Sequence, residues 1–386
     1  MSFRPRKQLL GQRSVTPKSS STTAKFTLSP GVRSSPLDGR LTTSTGTRSL
    51  DSLLGGHAGL ALGSMLLIGE TGTTDFSGCL LRYYTAEGAV QGHQVHILGV
   101  SKEWGREIPD VSSDKNLPTK SNESLPLDKM KIAWRYERLG EFGADISDVS
   151  AVSKTASSNP IFCHDFDLSR RLNLSSHLNI KFVPILSIPN CKQLINSESP
   201  FFSFLGHLIS ELETSSSTTV HRVVVPNLLS PIFYRSEFSD SKKILQFLHT
   251  LRALLRQYPN QLTVMISLPL MLYPRSTGIT RWMEILSDGV IELTPLPPIP
   301  NPVNLPEDAP QGILKIHKLP VFHEKGGEEA TSGSSRFGDD LGFTLNRRKG
   351  LVIKPFSLPP IGAEEEAVKN TSENKNGKFS EADIQF

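Results

Sequence analysis

Apolar positions along this chain change their spacing repeatedly, and the alternation predicts the architecture. Residues 64–69 (Ser-Met-Leu-Leu-Ile-Gly) form a short apolar run closed by glycine. It is too short for a buried helix and fits a strand covered on both faces. Helical spacing follows from Ser77 to about Val90, then a second strand at 94–100. A helix through Phe204, Leu208 and Leu212 leads into a strand at 221–225. Ile244, Leu245, Leu248, Leu251 and Leu255 repeat at the period of a helix over 242–258. Buried strands are expected again at 262–267 and 289–293, and two apolar stretches, 341–345 and 351–356, flank Asn346-Arg-Arg-Lys-Gly350 as a hairpin. Strands alternating with helices imply an α/β fold with a mostly parallel central sheet flanked by helices.

Composition sets the limits of the folded part. Residues 1–48 carry nine Lys/Arg and one acid, a net of +8, whereas 361–386 carry six acids and three lysines, a net of −3. With +4 in total, the span between is about −1, so the basic excess belongs to a tail. Residues 1–40, rich in Ser, Thr, Pro and basic residues, are expected to be a disordered arm that buries too little to offset the entropy of ordering. The domain is expected at 41–320 with a long loop at 105–127. A flexible insertion at 321–340, the hairpin within 341–360 and a disordered acidic tail at 361–386 would follow. Three scattered cysteines (Cys79, Cys163, Cys191) give neither a disulfide framework nor CxxC spacing, and His93 and His96 lack a third ligand, so no metal is expected. The most apolar run, 262–273, is shorter than the roughly 18–20 residues of a membrane helix, and no apolar segment follows the N-terminal charges. The expectation is a soluble intracellular protein with no membrane partner.

The first strand leads into the most informative segment. Ser44-Thr-Gly-Thr-Arg-Ser-Leu-Asp-Ser-Leu-Leu-Gly-Gly56, followed by Gly63-Ser-Met-Leu-Leu-Ile-Gly69, resembles the entrance to the nucleotide loop of the RecA/KaiC family. In that family the loop reads G-x-x-x-x-G-K-[ST], with backbone N–H groups around phosphate, Lys on the terminal phosphates and a hydroxyl on magnesium. Here it reads Gly69-Glu-Thr-Gly72-Thr-Thr74-Asp75-Phe76. Thr74 stands for the second glycine, Asp75 for the lysine and Phe76 for the hydroxyl. Two unit charges about 4 Å apart exchange on the order of 4 kcal/mol at an effective dielectric near 20, so reversing the lysine's charge should abolish ordinary nucleotide binding. Val223-Val-Val-Pro-Asn227 supplies no acid for magnesium. Phosphoryl transfer therefore lacks its usual parts, and no cofactor and no catalytic residue is expected.

Met130-Lys-Ile-Ala-Trp-Arg-Tyr136, Phe162-Cys-His-Asp-Phe-Asp-Leu-Ser-Arg-Arg171, Arg222-Val-Val-Val-Pro-Asn-Leu-Leu-Ser-Pro231 and Phe343-Thr-Leu-Asn-Arg-Arg-Lys349 resemble segments of the PAXNEB family, the fourth subunit of Elongator, over roughly 40–360. The resemblance implies a RecA-like fold with a degenerate loop. It also implies assembly with the fifth and sixth Elongator subunits into a hetero-hexameric ring of two copies each. Further implied partners are tRNA and the catalytic Elongator subcomplex that modifies wobble uridine at C5, with cytoplasmic and nuclear localisation. ATP hydrolysis has been credited to the family's ring; a site for it here would have to be unconventional or shared across an interface. The rival readings are a KaiC-like NTPase and a structural adaptor without RNA contact.

Individual residues carry weaker signals. Arg275 and Arg281 bracket the loop after the 262–267 strand, where RecA-like proteins face a central opening, and are candidates for RNA phosphate contact. A solvated loop or an inter-subunit ion pair is the plain alternative. Arg347, Arg348 and Lys349 could touch RNA or an acidic neighbour, or merely block edge pairing. Lys102 and Trp104 could meet a base or pack a loop. His164 and Asp165 suggest a catalytic pair, but without a nucleophile a structural role is favoured.

Overall fold

The computed structural model describes residues 28–54, 56–112, 161–174, 178–185, 199–235, 238–297, 309–320, 341–348 and 350–356. Residues 1–27 of the expected arm, 113–127 of the long loop, the insertion 321–340, the tail 361–386, the segment 130–136 and Lys349 lie outside them.

A nine-stranded sheet forms the centre. Six strands run parallel: β4 (Met65–Glu70), β5 (Gln94–Leu98), β8 (Ile180–Val183), β9 (His221–Val225), β10 (Leu262–Pro269) and β11 (Gly289–Pro295). Three antiparallel strands extend one edge: β12 (Gly312–Lys318), β13 (Leu341–Asn346) and β14 (Gly350–Pro355). The spatial order is β14-β13-β12-β11-β4-β10-β9-β5-β8. β4 and β9 are buried at every position, which is why they read as continuous rather than alternating apolar runs. The order places the loop after β4 at the carboxyl ends of central strands, where open α/β sheets hold their ligands. This is the α/β architecture expected from the alternation and from the RecA-like entrance.

Helices cover both faces. α4 (Pro200–Thr214), α5 (Ser241–Gln257) and α6 (Gly278–Leu286) pack on one face through Phe204, Leu208, Phe247, Leu251 and Met283. α1 (Arg48–Leu53) and α2 (Phe76–Val90) pack on the other through Leu50, Leu80, Leu81 and Tyr84, together with Phe343 and Leu351 of the hairpin. α5 begins at Asp240, whose side chain accepts from the Lys242 N–H, and α4 begins with proline in its first turn. A short helix α3 (Lys102–Gly105) follows β5.

Three boundaries differ from expectation. Order begins before Leu41: β1 (Val32–Ser34) pairs with β2 (Leu41–Thr43), and β2 with β3 (Leu60–Ala61), in a small antiparallel sheet. Val32 is the single apolar residue of β1, so tertiary pairing, not local pattern, holds this strand. Within the expected 105–127 loop, β6 (Pro109–Val111) pairs with β7 (Phe166–Arg171). Helix α2 starts at Phe76, one residue early.

Candidate functional site

The loop after β4 keeps the shape of a phosphate cradle and fills it from within. Glu70, the last residue of β4, is 5% exposed. Its Oε1 accepts from the Phe76 N–H (2.9 Å) and the Thr74 hydroxyl (2.8 Å), and its Oε2 from the Ser77 N–H (3.0 Å) and the Ser77 hydroxyl (2.5 Å). The Phe76 and Ser77 N–H groups are orphan donors at the N-terminus of α2, where the helix dipole favours a negative charge. A carboxylate with four donors thus sits where an incoming phosphate would need them.

The remaining letters of the loop are accounted for one by one. Asp75, at the lysine position, pairs with Arg82 two turns along α2 (2.8 Å). Phe76, at the hydroxyl position, stacks edge-on against Phe343 of β13 at 4.9 Å and belongs to the core. Gly72 adopts φ +92, and Thr71 N–H reaches the Leu293 carbonyl at 3.0 Å, which pins the loop onto β11. At the end of β9 the side chains of Asn227 and Ser267 bond to each other (3.4 Å), and Ser267 accepts from Asn227 N–H (2.8 Å). Among the described residues no carboxylate ends β9.

Beneath the loop the entrance segment is held by buried charges. Asp51 of α1 accepts from the Ser44 hydroxyl (2.6 Å), the Thr45 hydroxyl (2.7 Å) and Thr45 N–H (2.8 Å), and burial pushes its carboxyl up to about 6. Arg222 of β9 is fully buried. It donates to His93 Nδ1 (3.0 Å), to the carbonyls of Ser44 (2.9 Å) and Tyr84 (3.0 Å) and to Thr43 Oγ1 (2.7 Å), with its guanidinium 4.6 Å from the Tyr84 ring centre. Gly88 of α2 leaves room for it, since a Cβ there would stand 2.7 Å from Arg222 Cδ. With Nδ1 accepting, His93 is neutral and gives its Nε2–H to the Pro30 carbonyl (2.8 Å); burial and Arg222 hold its pKa down at about 3. The Thr-Gly and Leu-Asp letters of the entrance therefore serve a structural knot tying β2 and α1 to the sheet.

Other sequence candidates divide between structure and surface. His164 meets buried Glu87 (3.0 Å) while Asp165 meets Arg48 (3.0 Å), so the two neighbours serve different partners and form no catalytic pair. His96 and His221 stack across β5 and β9 at 5.4 Å inside the core. Trp104 is partly buried beneath Arg82, 5.5 Å from its ring centre. Arg275 is engaged within the chain: bidentate to Glu284 (2.6 and 3.2 Å), to His317 (3.0 Å) and towards Glu292 (3.9 Å). That commitment argues against it as an RNA contact. Arg281 lies in α6 rather than in a loop, and is exposed. Arg347 and Arg348 form the exposed tip between β13 and β14. Among the described residues no group of three or more His, Cys, Asp or Glu could hold a metal, and no helix is long and apolar enough to cross a membrane.

The PAXNEB protein family model matches residues 25–386. The chain belongs to the PAXNEB family. "Elongator complex protein 4" of Schizosaccharomyces pombe is 31% identical to this chain over 363 residues, covering 91% of this chain and 94% of that one. The human protein of the same name is 28% identical, covering 86% and 80%. A solved KaiC-like protein from the archaeon Pyrococcus horikoshii aligns over 81% of this PAXNEB chain and 99% of its own, at 14% identity and a TM-score of 0.40.

Sequence reasoning missed Glu70 and Arg222. Glu70 occupies a variable position of the loop pattern, and the available signal was an acid there combined with a serine just inside the helix. Arg222 heads a Val-rich strand, and an arginine beginning a fully apolar run was the hint that it, too, is buried.

Proposed function

We propose that this chain is a noncatalytic subunit of the Elongator complex. In this reading it joins the fifth and sixth subunits in a hetero-hexameric ring that binds tRNA and supports modification of wobble uridine at C5 by the catalytic subcomplex, in cytoplasm and nucleus. The observation that carries the noncatalytic part is Glu70 filling the cradle of α2. Nucleotide would have to displace a carboxylate holding four donors, then meet Asp75 where a cation is needed. Family membership supports the assembly, as do the exposed apolar side chains of Met271 and Leu272 after β10 and of Trp282 and Ile285, one turn apart on α6.

Two measurements test this. Co-expression with the two subunits followed by native mass determination should give a six-chain assembly; a lone monomer at physiological concentration would contradict it. The purified assembly should bind tRNA with an affinity that falls steeply with salt, and a salt-independent or undetectable interaction would leave only the adaptor reading.

A further inference from the structure

A concavity of about 400 Å³ opens beside α2 and is lined by Cys79, Arg82, Glu107, Leu168, Arg171, Leu345 and Arg347. Four chain segments meet there: α2, the turn after α3, β7 and the hairpin between β13 and β14. The charges are not equivalent. Arg82 is neutralised by Asp75 (2.8 Å) and by Glu107 (2.5 Å), the only acid among the described lining residues. Arg171 donates to the Glu107 carbonyl (2.9 Å), a neutral group that orients the guanidinium without cancelling its charge. Among the described residues no carboxylate pairs with Arg171 or Arg347. The tip is fixed, since the Arg347 carbonyl accepts from Leu168 N–H of β7 at 2.8 Å.

We propose that Arg171 and Arg347 form a phosphodiester-binding cleft that takes the RNA backbone. The assignment rests on the reading that the assembled complex holds tRNA, and names where on this chain it does so. A guanidinium offers a planar fork that matches a phosphate in two hydrogen bonds, and both positions carry arginine. Arg82 is further held over the Trp104 ring of helix α3, 5.5 Å from its centre, which keeps it at the wall of the cleft. The cleft lies on the face of the sheet covered by α1 and α2, whereas Arg275 and Arg281 lie on the side of α4, α5 and α6. The two candidate RNA surfaces are therefore on opposite faces, and one set of variants separates them.

The experiment is a fluorescence-anisotropy titration of an unmodified tRNA transcript with the complex purified through its partner subunits, repeated over a salt series. Wild type is compared with Arg171→Ala/Arg347→Ala, Arg171→Lys/Arg347→Lys and Arg281→Ala. Removing two phosphate contacts should weaken binding by roughly tenfold or more and flatten the salt slope by about 1.4–1.8. The lysine pair should keep most of the slope while losing part of the affinity, and Arg281→Ala should match wild type. Unchanged affinity and slope in the alanine pair, with wild type binding normally, would overturn the cleft and leave tRNA binding itself intact. A double variant that no longer co-purifies with its subunits would mark the cleft as a protein interface, which also overturns the assignment. Failure of the wild-type complex to bind tRNA would instead refute the functional reading beneath it.

Discussion

Replacing Glu70 by glutamine tests the filled cradle with the least change of shape. In the native loop each carboxylate oxygen accepts two bonds, Oε1 from Phe76 N–H and Thr74, Oε2 from Ser77 N–H and its hydroxyl. An amide has one acceptor oxygen. In either orientation its NH₂ group faces a backbone N–H, so one buried donor loses its partner, at about 1–3 kcal/mol. The bonds that remain lose their charge assistance, and the helix dipole loses an anion worth about 0.3–1 kcal/mol or more. The site is 5% exposed, so water replaces little of this. The sum is a destabilisation of about 2–4 kcal/mol, read as a lower urea midpoint at constant m by tryptophan fluorescence. A Gln variant within about 0.5 kcal/mol of wild type, the scatter of an ordinary surface change, would refute the argument that this carboxylate is the cradle's ligand.

Arg222→Met should cost about 3–5 kcal/mol, because the change leaves His93, two carbonyls and the buried acids Asp51 and Glu87 without their cation; a stability loss below 1 kcal/mol in the same assay would contradict the buried knot. Acid should destabilise the chain. Burial holds His93 at about 3 and pushes His96 and His221 below their ordinary range, so below pH 6.5 the unfolded chain binds protons that the folded chain refuses, at about 1.4 kcal/mol per pH unit for each histidine. Asp51, raised to about 6, works the other way between pH 6 and 3.8, and one such group offsets only part of the loss. Urea midpoints should therefore fall by several kcal/mol equivalents between pH 7 and 5, and a midpoint that holds or rises would contradict the neutral core histidines.

The sheet was legible wherever burial was two-sided. Runs such as 64–69, 221–225 and 262–267 lie at its centre, and unbroken apolarity has few other uses at that length. Several of the unanticipated strands are edge or half-buried pieces. β12 alternates Ile and Leu with Lys and His, β8 is intermediate at every position, and β1 carries one apolar residue, so each depends on a neighbour far away in sequence. The site divides in the same way. Loss of the lysine, hydroxyl and acid can be read from single letters, because each letter has one chemical duty. The replacement of phosphate by Glu70 cannot, since it depends on the direction of a side chain at a position where any residue is allowed. Arg275 looked like a free loop cation for the same reason: Glu284, Glu292 and His317, which engage it, sit on three different elements.

The central claim is that the loop after β4 already holds its anion. The most direct measurement is a titration of magnesium-ATP into isotopically labelled protein, following the backbone amide signals of Phe76 and Ser77. The account expects both signals to stay in place to millimolar nucleotide, since Glu70 keeps them engaged. Saturable, magnesium-dependent shifts of these two amides at micromolar ATP would contradict it.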